Sequence, residues 1–364
     1  MLCRGAPANC PAKAPLKVFG SMRRNWVGYV KYALPAAMVL LSFAVVGVIG
    51  WLLFWGGLAA LGGQLASRAA ARFIPQKVRE GFVNVVITVA GYSAIVIIAF
   101  IFLFIFKEGL SAFRDVPAGD FLKTFWQPAS EVPKYGMIPL AAGTVMVTTI
   151  AMAIAIPLGL GAAIYLSEVA GGREREIVKP IVELLSAIPS VVYGLLGMVV
   201  LGDVIPAITG TPFRLNAFNG GIVLAIMLTP MLASLAEDAL YSVPRSYRVA
   251  AFALGATRWE VIRRTVVPAA ASGVTAAILL SVARTLGETM AVLLATGNMA
   301  AFTVNPLSSV RTMTATIAIE MGDAVFGGEH YHVLFALGVV LFSITFFVNL
   351  ASQVIMDRYA RKFR

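Results

Sequence analysis

The stretch 237–268, EDALYSVPRSYRVAAFALGATRWEVIRRTVVP, connects two long apolar runs of the chain and predicts two short helices with a break between them. Pro244 suits the first helical position, and Gly255 suits the residue after the helix end, where the backbone turns left-handed. Thr257 and Glu260 have the spacing of a capping box, which begins the second helix. We therefore expect a helix–turn–helix between two membrane spans.

The surface of residues 244–268, called the knob from here on, indicates a binding role. It carries Val249, Phe252 and Trp259 among alanines and arginines. An ordinary solvated loop is the alternative, but such loops do not usually expose this much apolar surface. The mixture of apolar and basic side chains favours a partner protein that docks on the knob.

The composition of the whole chain is that of a membrane protein. Of its 364 residues, 59% are hydrophobic and 13% are charged, against about 45–50% and about 25% in soluble domains. The net charge of +11 is typical of basic loops on one side of a membrane. No basic stripe with interleaved aromatic residues is present, so we expect membrane lipid and no nucleic acid as a partner.

Several apolar runs are long enough to cross a bilayer, which takes roughly 20 residues in a helix. A transmembrane barrel would instead show alternating segments of about ten residues, so the pattern predicts an all-α bundle. The runs are 33–67, 85–106, 140–166, 184–202, 215–236, 265–283 with its continuation past Arg284 and Glu288, and 333–356.

The basic residues of the connections predict the orientation. One set of connections holds 16 Lys and Arg residues, and the alternate set holds 6. The richer set is expected in the cytoplasm, which gives six core helices with both ends inside. The richer set is 63–84, 167–180, 237–264 and the tail; the poorer set is 107–139, 203–219 and 298–332.

The predicted organisation places an extra segment before the core. The apolar run 33–67 is long for one span and short for two, so a tight hairpin and a single tilted helix both remain open. The predicted parts are a basic N-terminal tail (1–32), the extra segment (33–67), a first core helix (85–106), a transport domain (139–353) containing the loop 237–268, and a basic cytoplasmic tail (357–364).

Two charges lie in the apolar stretch SVARTLGETMAV, residues 281–292. Arg284 and Glu288 are four residues apart and share one face if the helix continues through both. Small residues, Gly273, Ala277 and Ser281, are expected on the same face. Arg284 lies about 24 Å from Pro268 along a straight helix, which is deep in the membrane.

The residues alone leave three roles open for this pair. Arg284 and Glu288 can form a structural ion pair. Alternatively, the Arg284 guanidinium binds a tetrahedral oxyanion while Glu288 holds it in place. In a third hypothesis the pair relays protons or ions in a secondary transporter.

The chain lacks the motifs of common enzymes. It has no G-x-x-x-x-G-K-[ST] loop for ATP and no H-E-x-x-H zinc motif. Its two histidines, His330 and His332, are expected to be solvated rather than metal-bound. No catalytic residue is predicted, so the chain is expected to be a transport subunit whose energy comes from another subunit or from an ion gradient.

The knob resembles the EAA loop of ABC-importer permeases, whose pattern is EAA, three residues, Gly, nine residues and I-x-L-P. Ala250, Ala251, Gly255 and Pro268 fall on that spacing, whereas Val249 replaces the family's Glu. The resemblance implies a type I permease bundle of six core helices, with an ATPase docked on the knob. The coupling residues it implies are Val249, Ala250, Ala251, Gly255, Ala256 and Thr257.

Four further stretches make the chain similar to the PstC-type permeases of phosphate-specific ABC importers, over roughly residues 85–360. They are IPLGLGAAIYLSE, ELLSAIPSVVYGLLG, GATRWEVIRRTVVPAAASGV and ARTLGETMAVLLATGN. The resemblance implies a permease subunit for inorganic phosphate in a bacterial inner membrane. The substrate pathway it favours contains Arg284, Glu288, Ser281 and Thr285.

The same resemblance implies the partners and leaves two alternatives. The partners are a homologous PstA-type permease, two PstB-type ATPase subunits that bind ATP and Mg²⁺, and a PstS-type phosphate-binding protein. No cofactor is expected in this chain, and its C-terminus is expected in the cytoplasm. The alternatives are a permease for another oxyanion, such as sulfate or molybdate, and a gradient-driven secondary transporter.

Overall fold

A computed structural model describes residues 76–362 of the chain. The predicted tail 1–32 and extra segment 33–67 lie outside these described residues. The helices within them are α1 (Gln76–Asp115), α2 (Ile138–Ile164), α3 (Gly172–Ser186), α4 (Ser190–Leu196), α5 (Gly202–Thr209), α6 (Ala217–Tyr241), α7 (Arg245–Ala253), α8 (Arg258–Val261), α9 (Val267–Ala269), α10 (Ala271–Leu286), α11 (Met290–Ala295), α12 (Met313–Glu320) and α13 (Glu329–Lys362).

Short irregular elements join these helices. Three π-helical segments extend helices α2, α4 and α8, and a single 3₁₀ turn follows α1. Two short strands, β1 and β2, form an antiparallel hairpin before α2, with Trp126 opposite Tyr135. The segments are Tyr165–Val169, Gly197–Leu201, Ile262–Val266, Ala118–Leu122, β1 (Trp126–Gln127) and β2 (Lys134–Tyr135).

The helices confirm the predicted all-α membrane bundle. Five stretches of the described chain are long and apolar enough to cross a membrane, and a bent pair of helices makes a sixth. The five are Val83–Asp115, Ile138–Val169, Ser190–Thr209, Ala217–Tyr241 and Glu329–Ala351; the bent pair is Arg258–Ala269 with Ala271–Leu286. The last helix continues to Lys362, so most of the predicted tail is helical.

Two predicted spans have different bounds in the structure. The predicted span 184–202 begins before the observed helix. Pro189 has a non-helical backbone and caps a new helix that begins at Ser190. Leu184 belongs instead to α3, where it is exposed. The run that begins at 265 is bent by 69° at its start.

The chain divides into two compact units, 1–101 and 102–364. The described part of the first unit is the N-terminal part of α1, whose apolar side chains are largely exposed, as lipid contact requires. The second unit contains the rest of α1 and all the other elements named above. In this second unit, Phe102 and Phe106 pack edge-on against Phe342 of α13.

The centre of the second unit is the contact between α2 and α6. Gly221 permits the close approach of the two helices, because a Cβ atom there would overlap the Ile150 side chain. Val147, Leu224 and Leu228 are almost completely buried beside this contact. Helices α4, α10 and α11 pack against the same cluster. The pair α2 and α6 therefore supports the helices that are interrupted inside the bundle.

Candidate functional site

The predicted charged pair is not arranged as its spacing suggested. Helix α10 ends at Leu286, and Glu288 lies in the link before α11 rather than on the helix face that carries Arg284. The expectation of a shared i,i+4 face is therefore wrong. Among residues 76–362, no ion pair within 4 Å involves Arg284 or Glu288. The structure therefore does not favour the hypothesis that Arg284 and Glu288 form a structural ion pair.

The small residues of α10 face the bundle, and Arg284 lies off that face. Ala277, Ser281 and Thr285 recur every fourth residue and are buried. A Cβ atom on Gly273 would contact Ala239 of α6 at 2.6 Å, so the same face packs closely on α6. Arg284 is exposed, since it lies about 100° around the helix from Thr285. The 69° bend lies at Ala270, two residues after Pro268, so most of the path to Arg284 is the single helix α10.

Glu288 and Thr285 instead line a narrow polar cleft inside the bundle. Five threonines and one carboxylate meet there among apolar walls, although the surrounding spans are otherwise apolar. The cleft encloses about 170 Å³ including its mouth and leaves no room for a water-sized sphere. Its lining residues are Thr144, Val147, Thr148, Leu224, Thr285, Leu286, Glu288, Val292, Thr312 and Thr314.

Most of these hydroxyl groups donate their hydrogen to the main chain. Thr144 donates to Leu140 O at 2.8 Å, and Thr285 donates to Ser281 O at 2.7 Å. Thr314 donates to the main-chain oxygen of Glu288 at 2.7 Å. A hydroxyl used in this way still has lone pairs and can accept hydrogen bonds, as Thr144 does from the N–H of Met313 at 3.0 Å.

Thr148 differs from its neighbours in the cleft. Its side chain is buried, and within the described part of the chain its hydroxyl makes no hydrogen bond. The adjacent Thr149 does bond to the main-chain oxygen of Val145, at 2.8 Å, and lies on an exposed face of α2. Thr148 therefore keeps a hydroxyl that is free both to donate and to accept.

Glu288 makes hydrogen bonds with residues of α11 and α12. Its Oε1 atom accepts a long hydrogen bond, 3.4 Å, from the N–H of Ala291 in the first turn of α11. Its main-chain oxygen accepts from Thr314 of α12. These contacts fix a carboxylate at the edge of the cleft. Ser281 is fully buried and donates to Ala277 O, so it supports the wall without lining the cleft.

The knob has the predicted helix–turn–helix form. Helix α7 ends at Ala253, and Gly255 follows with a φ of 81°. The N–H of Gly255 donates to Phe252 O at 2.9 Å, and the N–H of Ala256 donates to Ala251 O at 3.2 Å. These two bonds form a Schellman motif, which ends a helix with a left-handed glycine.

The second helix of the knob begins with the predicted capping box. The hydroxyl of Thr257 accepts from the Glu260 N–H at 3.4 Å, and Glu260 Oε2 accepts from the Thr257 N–H at 2.9 Å. Pro244 lies one residue before its predicted position, because α7 begins at Arg245. The helix–turn–helix prediction is confirmed.

The predicted coupling residues divide between the surface and the inside of the knob. Val249, Ala250, Gly255 and Thr257 are exposed, and Ala251 and Ala256 are half-buried against the bundle. Further exposed apolar side chains extend this surface: Tyr247, Phe252, Leu254 and Trp259. Both helices of the knob and the turn between them therefore carry exposed apolar side chains, of which sequence reasoning missed Tyr247 and Leu254.

Two buried carboxylates that sequence reasoning missed hold the knob end of the bundle together. Glu168 pairs with Arg248 of α7, at 2.6 Å. Glu237, fully buried at the end of α6, pairs with Arg175 and, at 2.7 Å, with Lys179 of α3. The available signal was their position at the ends of long apolar runs, where a carboxylate needs a basic partner.

The two histidines lie at the start of α13 in a polar cluster. His330 Nε2 is 3.4 Å from Glu320, which also pairs with Arg311 at 2.6 Å. His332 Nδ1 is 3.4 Å from Glu108. Both histidines are largely buried rather than solvated as expected, and the described residues contain no group of three or more metal-ligating side chains.

A helical bundle with bent and broken membrane spans, an internal polar cleft and an apolar knob defines a membrane transport subunit. Residues 155–364 match the family of binding-protein-dependent transport system inner membrane components, and the chain belongs to this family. It is a multi-pass inner-membrane permease and a transport subunit rather than an enzyme. Permeases of this family work with a substrate-binding protein and an ATPase.

Similar proteins align with about two thirds of this chain. The chain is 35% identical to the probable ABC transporter permease YqgH of Bacillus subtilis, over 70% of this chain and 84% of that protein. It is 34% identical to the phosphate transport system permease PstC of Mesorhizobium japonicum, over 64% and 76%. It is 36% identical to a PstC of Xylella fastidiosa, over 66% and 79%.

A solved structure supports the type I permease fold. A chain of the bacterial alginate ABC transporter, in complex with its alginate-bound periplasmic protein, superposes with a TM-score of 0.53. The likeness covers 77% of this chain and 99% of that chain, at 18% sequence identity. At that identity the likeness shows the fold alone.

Proposed function

We propose that this permease forms part of the path for inorganic phosphate in an ATP-driven importer. The observation that carries the proposal is the threonine cleft at Glu288, in a chain 34–36% identical to phosphate transport permeases. Phosphate near neutral pH still carries a proton, whereas sulfate does not. A cleft of hydrogen-bond acceptors therefore favours phosphate over sulfate.

The chemistry of the cleft supports this selectivity. Thr144, Thr285 and Thr314 donate to main-chain oxygens, so their lone pairs can accept from the phosphate P–OH group. The Glu288 carboxylate is a stronger acceptor and repels an anion that has no proton to donate. Arg284, at the exposed side of α10, supplies the positive charge that attracts an oxyanion.

The exposed apolar surface of the knob supports the proposed arrangement of the complex. Two PstB-type ATPases, which bind ATP and Mg²⁺, dock on the knobs of this chain and of a PstA-type partner, and this chain itself binds no nucleotide. A PstS-type binding protein delivers phosphate at the opposite side. The excess of basic residues in the connections on the knob side supports a cytoplasmic knob and a cytoplasmic C-terminus.

Replacing the two charged residues tests the proposal. The permease is reconstituted with its three partner proteins in liposomes, and uptake of labelled phosphate and of labelled sulfate is measured. We expect Glu288→Gln to lower the preference for phosphate over sulfate, because an amide can donate to a fully ionised anion. Arg284→Gln should nearly abolish uptake while the complex still assembles.

Three outcomes would contradict the proposal. Wild-type selectivity in Glu288→Gln would remove the role of the carboxylate, and normal uptake in Arg284→Gln would remove Arg284 from the proposed phosphate path. A wild-type complex that carries sulfate or molybdate better than phosphate would favour the other oxyanion. The control is Asp203→Asn, which removes an exposed ion pair with Arg214.

A further inference from the structure

Glu168 attaches the knob to the end of α2. It lies in the π-helical segment that extends α2, and its side chain is 8% exposed. The Arg248 guanidinium donates to both carboxylate oxygens, from Nη2 at 2.6 Å and from Nε at 3.1 Å. Such a two-point bond fixes orientation as well as distance.

The same residue also contacts the second helix of the knob. The guanidinium of Arg258, the first residue of α8, donates to the main-chain oxygen of Glu168 at 2.6 Å. Arg248 in turn donates to the main-chain oxygens of Val243 and Leu240, at 2.6 and 3.1 Å. Glu168, in the segment that extends α2, is therefore joined to both helices of the knob and, through Arg248, to the end of α6.

The other connection of the knob is built differently. Helix α8 continues into the π-helical segment Ile262–Val266, as α2 continues into Tyr165–Val169, but here the chain then bends by 69° before α10. Segments of this kind interrupt the regular hydrogen-bond ladder and are frequent at functional positions. The knob is thus tied to α2 by charged hydrogen bonds, whereas it reaches α10 through a bent connection.

Both of these helices contribute to the walls of the cleft. Thr144 and Thr148 belong to α2, and Thr285 is near the end of α10. Glu168 is 20 residues from Thr148, or about 30 Å along the helix. A displacement of the knob that α2 follows and α10 does not would change the separation of the walls.

We infer that the Glu168–Arg248 pair is a positioning link that makes α2 follow the knob. It transmits the movement of the docked ATPase to the cleft, and the bent connection to α10 absorbs the difference. The inference rests on the proposed function, because it requires an ATPase on the knob. It assigns a coupling role to two residues that contact neither phosphate nor ATP.

The test measures coupling rather than activity alone. The complex is reconstituted in liposomes, and phosphate imported is divided by ATP hydrolysed for Glu168→Gln, Arg248→Gln, the double variant and Arg248→Lys. We expect ATP hydrolysis to persist and the ratio to fall at least about fivefold in each Gln variant, with no further fall in the double variant. Arg248→Lys keeps the charge and should retain most of the ratio.

The controls separate this inference from the proposed function. Asp203→Asn, at an exposed ion pair away from the knob, should leave the ratio unchanged. A wild-type complex that imports no phosphate with ATP would overturn the proposed function. A wild-type complex that imports it, together with an unchanged ratio in Glu168→Gln, would overturn the link alone.

The test also gives a result when a variant does not assemble with the ATPase. Co-purification of the ATPase reports assembly for every variant. If Glu168→Gln does not assemble, Arg248→Lys decides: an assembled and coupled Lys variant supports the charged link. A Lys variant that assembles but hydrolyses ATP without import, or that does not assemble, would overturn it.

Discussion

Single residues decide what the cleft can bind. Glu288 lies at the edge of the cleft for two reasons. Helix α10 ends at Leu286, and the Thr314 hydroxyl donates a hydrogen bond to the main-chain oxygen of Glu288. Thr314 is 26 residues away in the chain, and the stretch around Glu288 remains apolar. The spacing of Arg284 and Glu288 therefore suggested a continuous helix. The hydrogen bond from Thr314 to Glu288, which the sequence does not show, accompanies the break between α10 and α11.

Thr148 is the residue whose hydroxyl is most available to a ligand. We predict that Thr148→Val, which keeps the shape and removes the hydroxyl, raises the KM for phosphate uptake about fivefold, the effect of one lost hydrogen bond. Basal ATP hydrolysis should stay unchanged. Uptake by the reconstituted complex at varied phosphate concentrations gives the measurement.

The matched control is the neighbouring Thr149. Thr149→Val removes a hydroxyl that donates to Val145 O on the exposed side of α2, so its KM should equal that of the wild type. Equal KM values for the two variants would contradict a role of Thr148 in the path.

Among the elements, the knob was predictable and the cleft was not. The knob depends on local chemistry, since its capping box and Schellman glycine act over three to five residues. The cleft assembles residues of α2, α10 and α12 that are up to 170 positions apart, as for Thr144 and Thr314. Threonines are common in apolar helices, so the sequence does not indicate which of them meet.

The turn between α7 and α8 requires glycine. We predict that Gly255→Ala destabilises this turn by about 1–2 kcal/mol, because an L-residue at positive φ is strained. A Cβ atom there would meet nothing within 4 Å, so the cost is that of the backbone alone. The amount of ATPase that co-purifies with the permease should fall.

Gly161 of α2 provides the control for this change. Its Cβ position is equally free of neighbours, but its backbone is helical, where alanine is preferred to glycine. Gly161→Ala should therefore keep the ATPase bound. If both variants retain the ATPase equally, the left-handed turn does not orient the knob.

At the scale of the whole molecule, the polar cleft is closed while the apolar surface of the knob is exposed. The cleft has no room for a water-sized sphere, so any substrate requires its walls to separate. The walls belong to helices with different connections to the knob. This division gives the permease a way to convert movement of a docked ATPase into opening of the cleft.

The most direct test of the central claim is uptake of labelled phosphate by liposomes that contain the permease and its partner proteins. With ATP on the knob side, we predict uptake that vanadate stops and an uncoupler does not. Uptake that needs no ATPase and stops with the uncoupler would contradict the account, because it would make the chain a gradient-driven transporter.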